Sequence, residues 1–288
     1  MNLDHAHGAG PDLEMLLNPS LDLKAITEDI LTARGPYLSH AFQAGSFNAT
    51  ENGASYDKLP AGSIAGFGVS GTMLKHGTLC TYGTEEIAAQ MMAAAHHKNI
   101  SGALVDLDSG GGGVNSIAPL SEAVRKFRAL GKPVLFHIDN AYSAGYWFAS
   151  EGNHIMAQND ISAGAGSIGV MMSFADVKGY YEAKGYKMHT IYAPESEEKN
   201  ATYELALEGK YDKIKTEDLS PLALRFHEAV KENRGSKLNL ADASILKGKT
   251  YSARASVANG LIDSIGTKDD AVQMLFDLIA AEKFVNNK

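Results

Sequence analysis

Apolar residues from position 64 onward fall into short glycine-broken runs that alternate with helix-periodic stretches. "IAGFGVSGTML" (64–74) is apolar and interrupted by glycine, which predicts a strand. Thr84, Glu85 and Glu86 then open a helix that carries Ile87, Ala88, Met91, Met92 and Ala95 at helical spacing. "GALVDLDS" (102–109) and "VLFHI" (134–138) read as buried strands. Between them Ile117, Leu120, Val124, Phe127 and Leu130 mark a helix that stops at "GKP". The same patterns predict strands over 154–157, 167–172 and 188–192, with helices near 174–184, 222–232 and 269–282. Strands alternating with crossover helices imply an α/β fold built on a largely parallel sheet.

The first sixty residues differ. Leucines and isoleucines over 11–33 suggest a partly helical segment, and 35–62 is polar and turn-rich. Residues 1–60 are therefore expected to be an N-terminal appendage with a flexible joint, and 61–288 the main domain. No repeat of 20–50 residues and no low-complexity tract occurs.

Composition removes several function classes. The 288 residues are 44% apolar and 21% charged, ordinary for a globular chain. A net charge of −8 argues against a nucleic-acid partner and against adsorption to anionic lipid. Cys80 is the single cysteine, so no intramolecular disulfide forms. No apolar run reaches the ~18–20 residues of a membrane span. The opening "MNLDHAHGAGPDLEM" has neither a basic nor an apolar region of the secretory kind. The expectation is a cytoplasmic protein without a membrane anchor, and neither a metal nor a cofactor is expected.

Two loops follow predicted strand ends, where sites collect in parallel sheets: "DSGGGGV" (108–114) and "DNAYSAG" (139–145). Four consecutive glycines suit an oxyanion or anion cradle, and equally a tight strand-to-helix loop. "GAGSIG" (164–169) fits the dinucleotide fingerprint, but the strand-like stretch after it does not fit a Rossmann turn. Ser143 fits a helix cap or a nucleophile. The surroundings are not the G-x-S-x-G elbow, and His96, His97, His137 and His154 do not lie in a loop beside a matched acid. Lysine is the other base that serine uses, provided it is kept neutral by burial. Lys199 lies just beyond the predicted strand 188–192, where it is equally a solvated loop residue. These alternatives stay open on residue chemistry alone.

Taken in order, the segments resemble the Ser–Lys peptidases that include signal peptide peptidase A and phage head-maturation proteases. "LVDLDSGGGGV" resembles the family's strand and S-P-G-G loop, with Gly110 in place of proline. "AYSAGYWFAS" resembles the nucleophile segment, and "SAGAGSIGVMMS" the T-G-S-I-G-V stretch. "IYAPESEEKNATYE" falls where the family keeps its base, and the likeness runs from about Ile64 to Glu282. The resemblance implies a Clp protease/crotonase-like fold of repeated β-β-α units. It implies Ser143 as nucleophile, Lys199 as general base and Ser167 as the residue that orients the lysine. The oxyanion donors would be the N–H groups of Gly111, with Gly112 as fallback, and of Ala144.

The resemblance also implies peptide or protein substrates, capsid or scaffold proteins among them, and a small-residue pocket. A homo-oligomeric ring is implied too, in which Ser143 and Lys199 come from different subunits. Two departures bear on the base: Gly110 loosens the glycine loop, and Glu195, Glu197 and Glu198 precede Lys199. Carboxylates beside the amine would raise its pKa, so Lys178, Lys184 and Lys187 are reserve candidates. Two further readings are an acyl-CoA hydratase or isomerase of the crotonase type, and a non-catalytic scaffold with the same fold.

Overall fold

The computed structural model describes residues 56–286 except 58, 79–81 and 197, together with the backbone of 37–39. The helical stretch expected over 11–33 lies outside the described residues, as do Cys80 and Glu197.

A single sheet organises the described chain. Its path is β1 (Tyr37–Ser39), β2 (Ser63–Met73), β3 (Ile100–Gly112), β4 (Val134–Tyr142), β5 (His154–Ala157) and β8 (Ser264–Ile265). Strand β6 (Gly164–Gly166) pairs with the end of β4, and β7 (Thr250–Ser252) pairs with β6. Every pair is parallel except β6 with β7. The first strand thus comes from within the N-terminal sixty residues.

Both faces of the sheet are covered, which is why its central strands read as unbroken apolar runs. Ala103, Val105 and Leu107 of β3 join a core with α1 (Thr84–His96) and α2 (Ile117–Ala129). The alternate residue Leu104, with Ile64, Leu135 and Met156, packs on Ala271, Leu275 and Ile279 of the last helix. This is the expected α/β class, built on a largely parallel sheet with helices on both faces.

The long strands change partners along their length. Register shifts fall at Ser70/Thr72 in β2 and at Leu107/Ser109 in β3. At the same level β4 leaves β5 and takes up β6, through Asn140–Tyr142 against Gly164–Gly166. Bulges of this kind bend a strand and re-aim the residues beyond the bend. Here they turn the glycine loop and Ser143 toward each other.

Two predicted strands are absent. In 167–172 the ladder ends at Gly166, because Ser167 turns to φ 54°. Residues 188–192 run without a ladder, and Met188 and Ile191 are 67% and 92% exposed. Their apolar side chains predict burial that one copy of the chain does not supply. The helix expected near 174–184 is the shorter α4 (Lys178–Ala183). Beyond it lie α5 (Ala201–Leu207), α6 (Ser220–Arg234), α7 (Ala253–Ala258) and α8 (Lys268–Asn286).

Candidate active site

Ser143 joins β4 to α3 (Ala144–Ser150) with φ 51° and ψ −122°. A non-glycine residue held there stores about 1–3 kcal/mol of strain, which the surroundings must over-determine. They do so with backbone bonds: the Ser143 N–H donates to the Gly166 carbonyl (3.0 Å), and the Ser143 carbonyl accepts from the Trp147 N–H (3.0 Å). Buried Tyr146 anchors the helix by donating its hydroxyl to the Leu261 carbonyl at 2.8 Å. The Ser143 side chain makes no capping bond. The strained turn presents the hydroxyl without using it, so the cap reading fails.

The glycine loop meets Ser143 directly. A β-carbon on Gly111, whose φ is 106°, would lie 2.7 Å from Ser143 Cβ. One on Gly112 would overlap the Met73 carbonyl, whereas one on Gly110 would meet nothing within 4 Å. Gly111→Ala is therefore expected to cost about 2–4 kcal/mol of stability and any Ser143-dependent activity. Gly110→Ala should leave both intact, with at most about 1 kcal/mol of gain from a stiffer unfolded chain. Paired denaturant melts of the two variants check this.

The two expected glycine donors are not equivalent. The Gly111 N–H is already engaged, donating to Ser109 Oγ at 3.1 Å. Gly112 lines the same pocket as Ser143 and Ala144. The Gly113 N–H bonds back to the Met73 carbonyl (3.0 Å), so strand alternation turns the Gly112 N–H away from β2.

Ser167 stands beside Ser143. Tyr142 pairs with Gly166, and the two serines come next at the same level, Ser167 with its N–H on the Lys249 carbonyl (2.9 Å). The Tyr142 phenol is pushed up from its ordinary pKa by burial, then by Asp139 and Asp108. It stays neutral at pH 7 and is no base.

Lys199 is elsewhere. It sits exposed on a turn after the short helical turn Pro194–Ser196 and lines a separate open concavity with Pro194, Glu195, Ser196 and Glu198. Glu198 faces Lys213, 3.9 Å away. The reserve lysines Lys178, Lys184 and Lys187 are also exposed and do not line the Ser143 pocket, and Lys184 lies over the Tyr180 ring. Among the described residues no histidine lines it either: His137 contacts Asp106 and the Gly266 carbonyl, His154 contacts Ser264, and His97 contacts Asp57. Within one copy the structure joins Ser143, Ala144, Gly111, Gly112 and Ser167, and leaves Lys199 apart.

The pocket beside Ser143 encloses about 90 Å³. Its walls include Val114, Ile117, Met171 and Leu222, with Trp147 stacked on Phe226 at 4.7 Å and 12°. None of the lining residues is charged. Helix α6, which brings Phe226, is tied down by Arg234: it donates to both Asp263 oxygens at 3.0 Å and to the Gly260 carbonyl at 2.9 Å. Burial works to raise the Asp263 carboxyl, but the bonds and charge from Arg234, with Lys237, outweigh it and hold it at about 2. Sequence patterning had Trp147, Phe226 and Met171 only as apolar residues, and Ser109 only as part of a glycine run.

Among the described residues no group of three or more His, Cys, Asp or Glu could hold a metal ion, and no helix is long and apolar enough to cross a membrane.

The sequence profile of peptidase family S49 matches residues 126–282, more than half of the chain and inclusive of Ser143, Ser167 and Lys199. A protein of Enterococcus faecium named signal peptide peptidase SppA is 27% identical over 241 residues, covering 78% of this chain and 64% of the relative. Capsid assembly protease C of Escherichia phage lambda is 25% identical over 265 residues, covering 90% of this chain and 58% of that protein. The chain thus spans less than two thirds of the length of these relatives. Among solved structures, a variant of a membrane-bound stomatin-specific protease aligns with a TM-score of 0.49 at 12% identity, over 75% of this chain and 86% of that one.

Proposed function

Because the chain belongs to peptidase family S49, we propose that it is a serine endopeptidase whose nucleophile is Ser143. The observation that carries this is Ser143, held at φ 51° with no capping bond from its side chain, lining an uncharged pocket together with Ala144 and Gly112. The Ser143 hydroxyl attacks a peptide carbonyl as a neutral lysine takes its proton. The Ala144 and Gly112 N–H groups hold the oxyanion, each such donor contributing about 3 kcal/mol. The lysine returns the proton to the leaving amine, and water then releases the acyl-enzyme.

The base is Lys199 of a second copy. Lys199 lies away from Ser143 within its own copy, at the end of an exposed segment bearing Met188 and Ile191. Burial of that segment against a neighbour would also desolvate the amine, which lowers a lysine pKa as a base requires. Ser167, beside Ser143, orients the incoming amine.

The pocket favours this reading over acyl-CoA hydration, which recruits a carboxylate, because no Asp or Glu lines it. The role we favour is maturation of a capsid or scaffold protein. The support is the phage relative's alignment, which extends over 90% of this chain.

A peptide library tests the activity. The pocket is smaller than the ~150 Å³ cavity that takes a benzene ring, so small and aliphatic residues should precede the cleaved bond. Cleavage after Asp or Lys should be at least ~100-fold slower, since an unpaired charge would be buried. A library left uncut by the assembled protein, or cut mainly after charged residues, contradicts the proposal.

A further inference from the structure

Ser109 is 1% exposed and lies at the register shift where β3 bends. Its hydroxyl does two things at once. It donates to the Gly71 carbonyl at 2.6 Å and accepts the Gly111 N–H at 3.1 Å. Gly71 belongs to the facing bulge of β2, between Ser70 and Thr72. The hydroxyl also lies at 3.4 Å from the Gly111 carbonyl, so both polar groups of Gly111 face one side chain. On its other side Ser109 meets the nucleophile helix: a β-carbon on Gly145 would stand 3.2 Å from the Ser109 carbonyl and 3.3 Å from its Cβ.

We infer that Ser109 is a positioning residue for the oxyanion site, acting through Gly111 on Gly112. The inference rests on the peptidase reading above. A run of four glycines has little conformational preference of its own, and Gly110 has open space around it. The far end of the loop is tied to β2 by the Gly113 N–H on the Met73 carbonyl, and the Ser109 hydroxyl is the side-chain tie at its start, bonded to Gly71 of β2 and to Gly111. With the Gly111 N–H held by Ser109, the loop has one face left for a substrate, and Gly112 supplies it. Removing the hydroxyl strands a buried N–H, and the loop must turn to satisfy it. That turn moves the Gly112 N–H, and an oxyanion donor misplaced by about 1 Å costs on the order of 100-fold in rate.

Three predictions separate positioning from plain structural support. Per active site titrated with a serine-directed phosphonate, Ser109→Ala should lose ~30–100-fold in kcat with KM within ~3-fold of wild type. Affinity for a peptide boronic acid, which places an oxygen in the oxyanion site, should fall by a similar factor, while affinity for the cleaved product peptide stays level. Ser109→Cys, which keeps a weak donor and acceptor at the same place, should be intermediate and carries the same readouts if the alanine variant folds poorly.

A kcat per titrated site within ~3-fold of wild type, or equal losses for boronic acid and product peptide, would overturn the role of Ser109. Wild-type protein that does not cleave peptides overturns the peptidase reading and Ser109's role with it. Cleavage that depends on Ser143 but not on Ser109 removes this inference alone.

Discussion

Ser143→Ala is expected to reduce peptide cleavage by at least ~10⁴-fold while leaving the fold intact. The fold should survive because alanine keeps the β-carbon that fits against Gly111, and the native hydroxyl makes no capping bond. The strain at φ 51° is the same for either residue, so the melting temperature should move little. Activity should collapse because no other nucleophile lines the pocket. Ser167 stands beside Ser143 but is not among the pocket residues, so it is no substitute. Steady-state turnover of a fluorogenic peptide, with a thermal melt of the same preparation, gives both numbers. Turnover within ~10-fold of wild type would place the nucleophile elsewhere.

Lys199→Ala should lose ~10³-fold or more, since a serine without its base keeps only what binding and the oxyanion site provide. This residue is exposed in the single copy, so its loss should not weaken the folded chain itself. Lys178→Ala and Lys184→Ala should stay within ~3-fold, because those residues, at the start and the C-cap of α4, are exposed and do not line the Ser143 pocket. The comparison of the three variants under identical conditions assigns the base. A full loss with Lys178 or Lys184, and none with Lys199, would contradict the assignment.

Much of this was legible in the residues, for a physical reason. Central strands buried on both faces must be apolar, so β2 to β5 announced themselves, and the helices between them carried clear helical spacing. The short pieces did not. Strands β7 and β8 are three and two residues long, too short for any periodicity to register. The segment 188–192 misled, because apolar residues such as Met188 and Ile191 call for burial without saying against what.

At the site, Ser143 could be singled out by its place after a strand, but its backbone strain could not. Which glycine has a free N–H depends on where the Ser109 hydroxyl points, and that is decided by two facing bulges in β2 and β3. The pocket wall depends on Phe226 meeting Trp147 across 79 residues of chain. Nothing local marks either residue. Lys199 is the reverse case: its position in the resemblance suggested a base, and the single copy leaves it on the outside.

If each active site takes Ser143 from one copy and Lys199 from another, two inactive variants should restore activity when mixed. Ser143→Ala and Lys199→Ala are dissociated, combined in equal amounts and allowed to reassemble. In a head-to-tail ring with random mixing, about a quarter of the sites join an intact Ser143 to an intact Lys199. Cleavage should therefore return to about a quarter of the wild-type rate. A mixture that assembles as the wild type does yet stays as inactive as either variant alone would contradict the account.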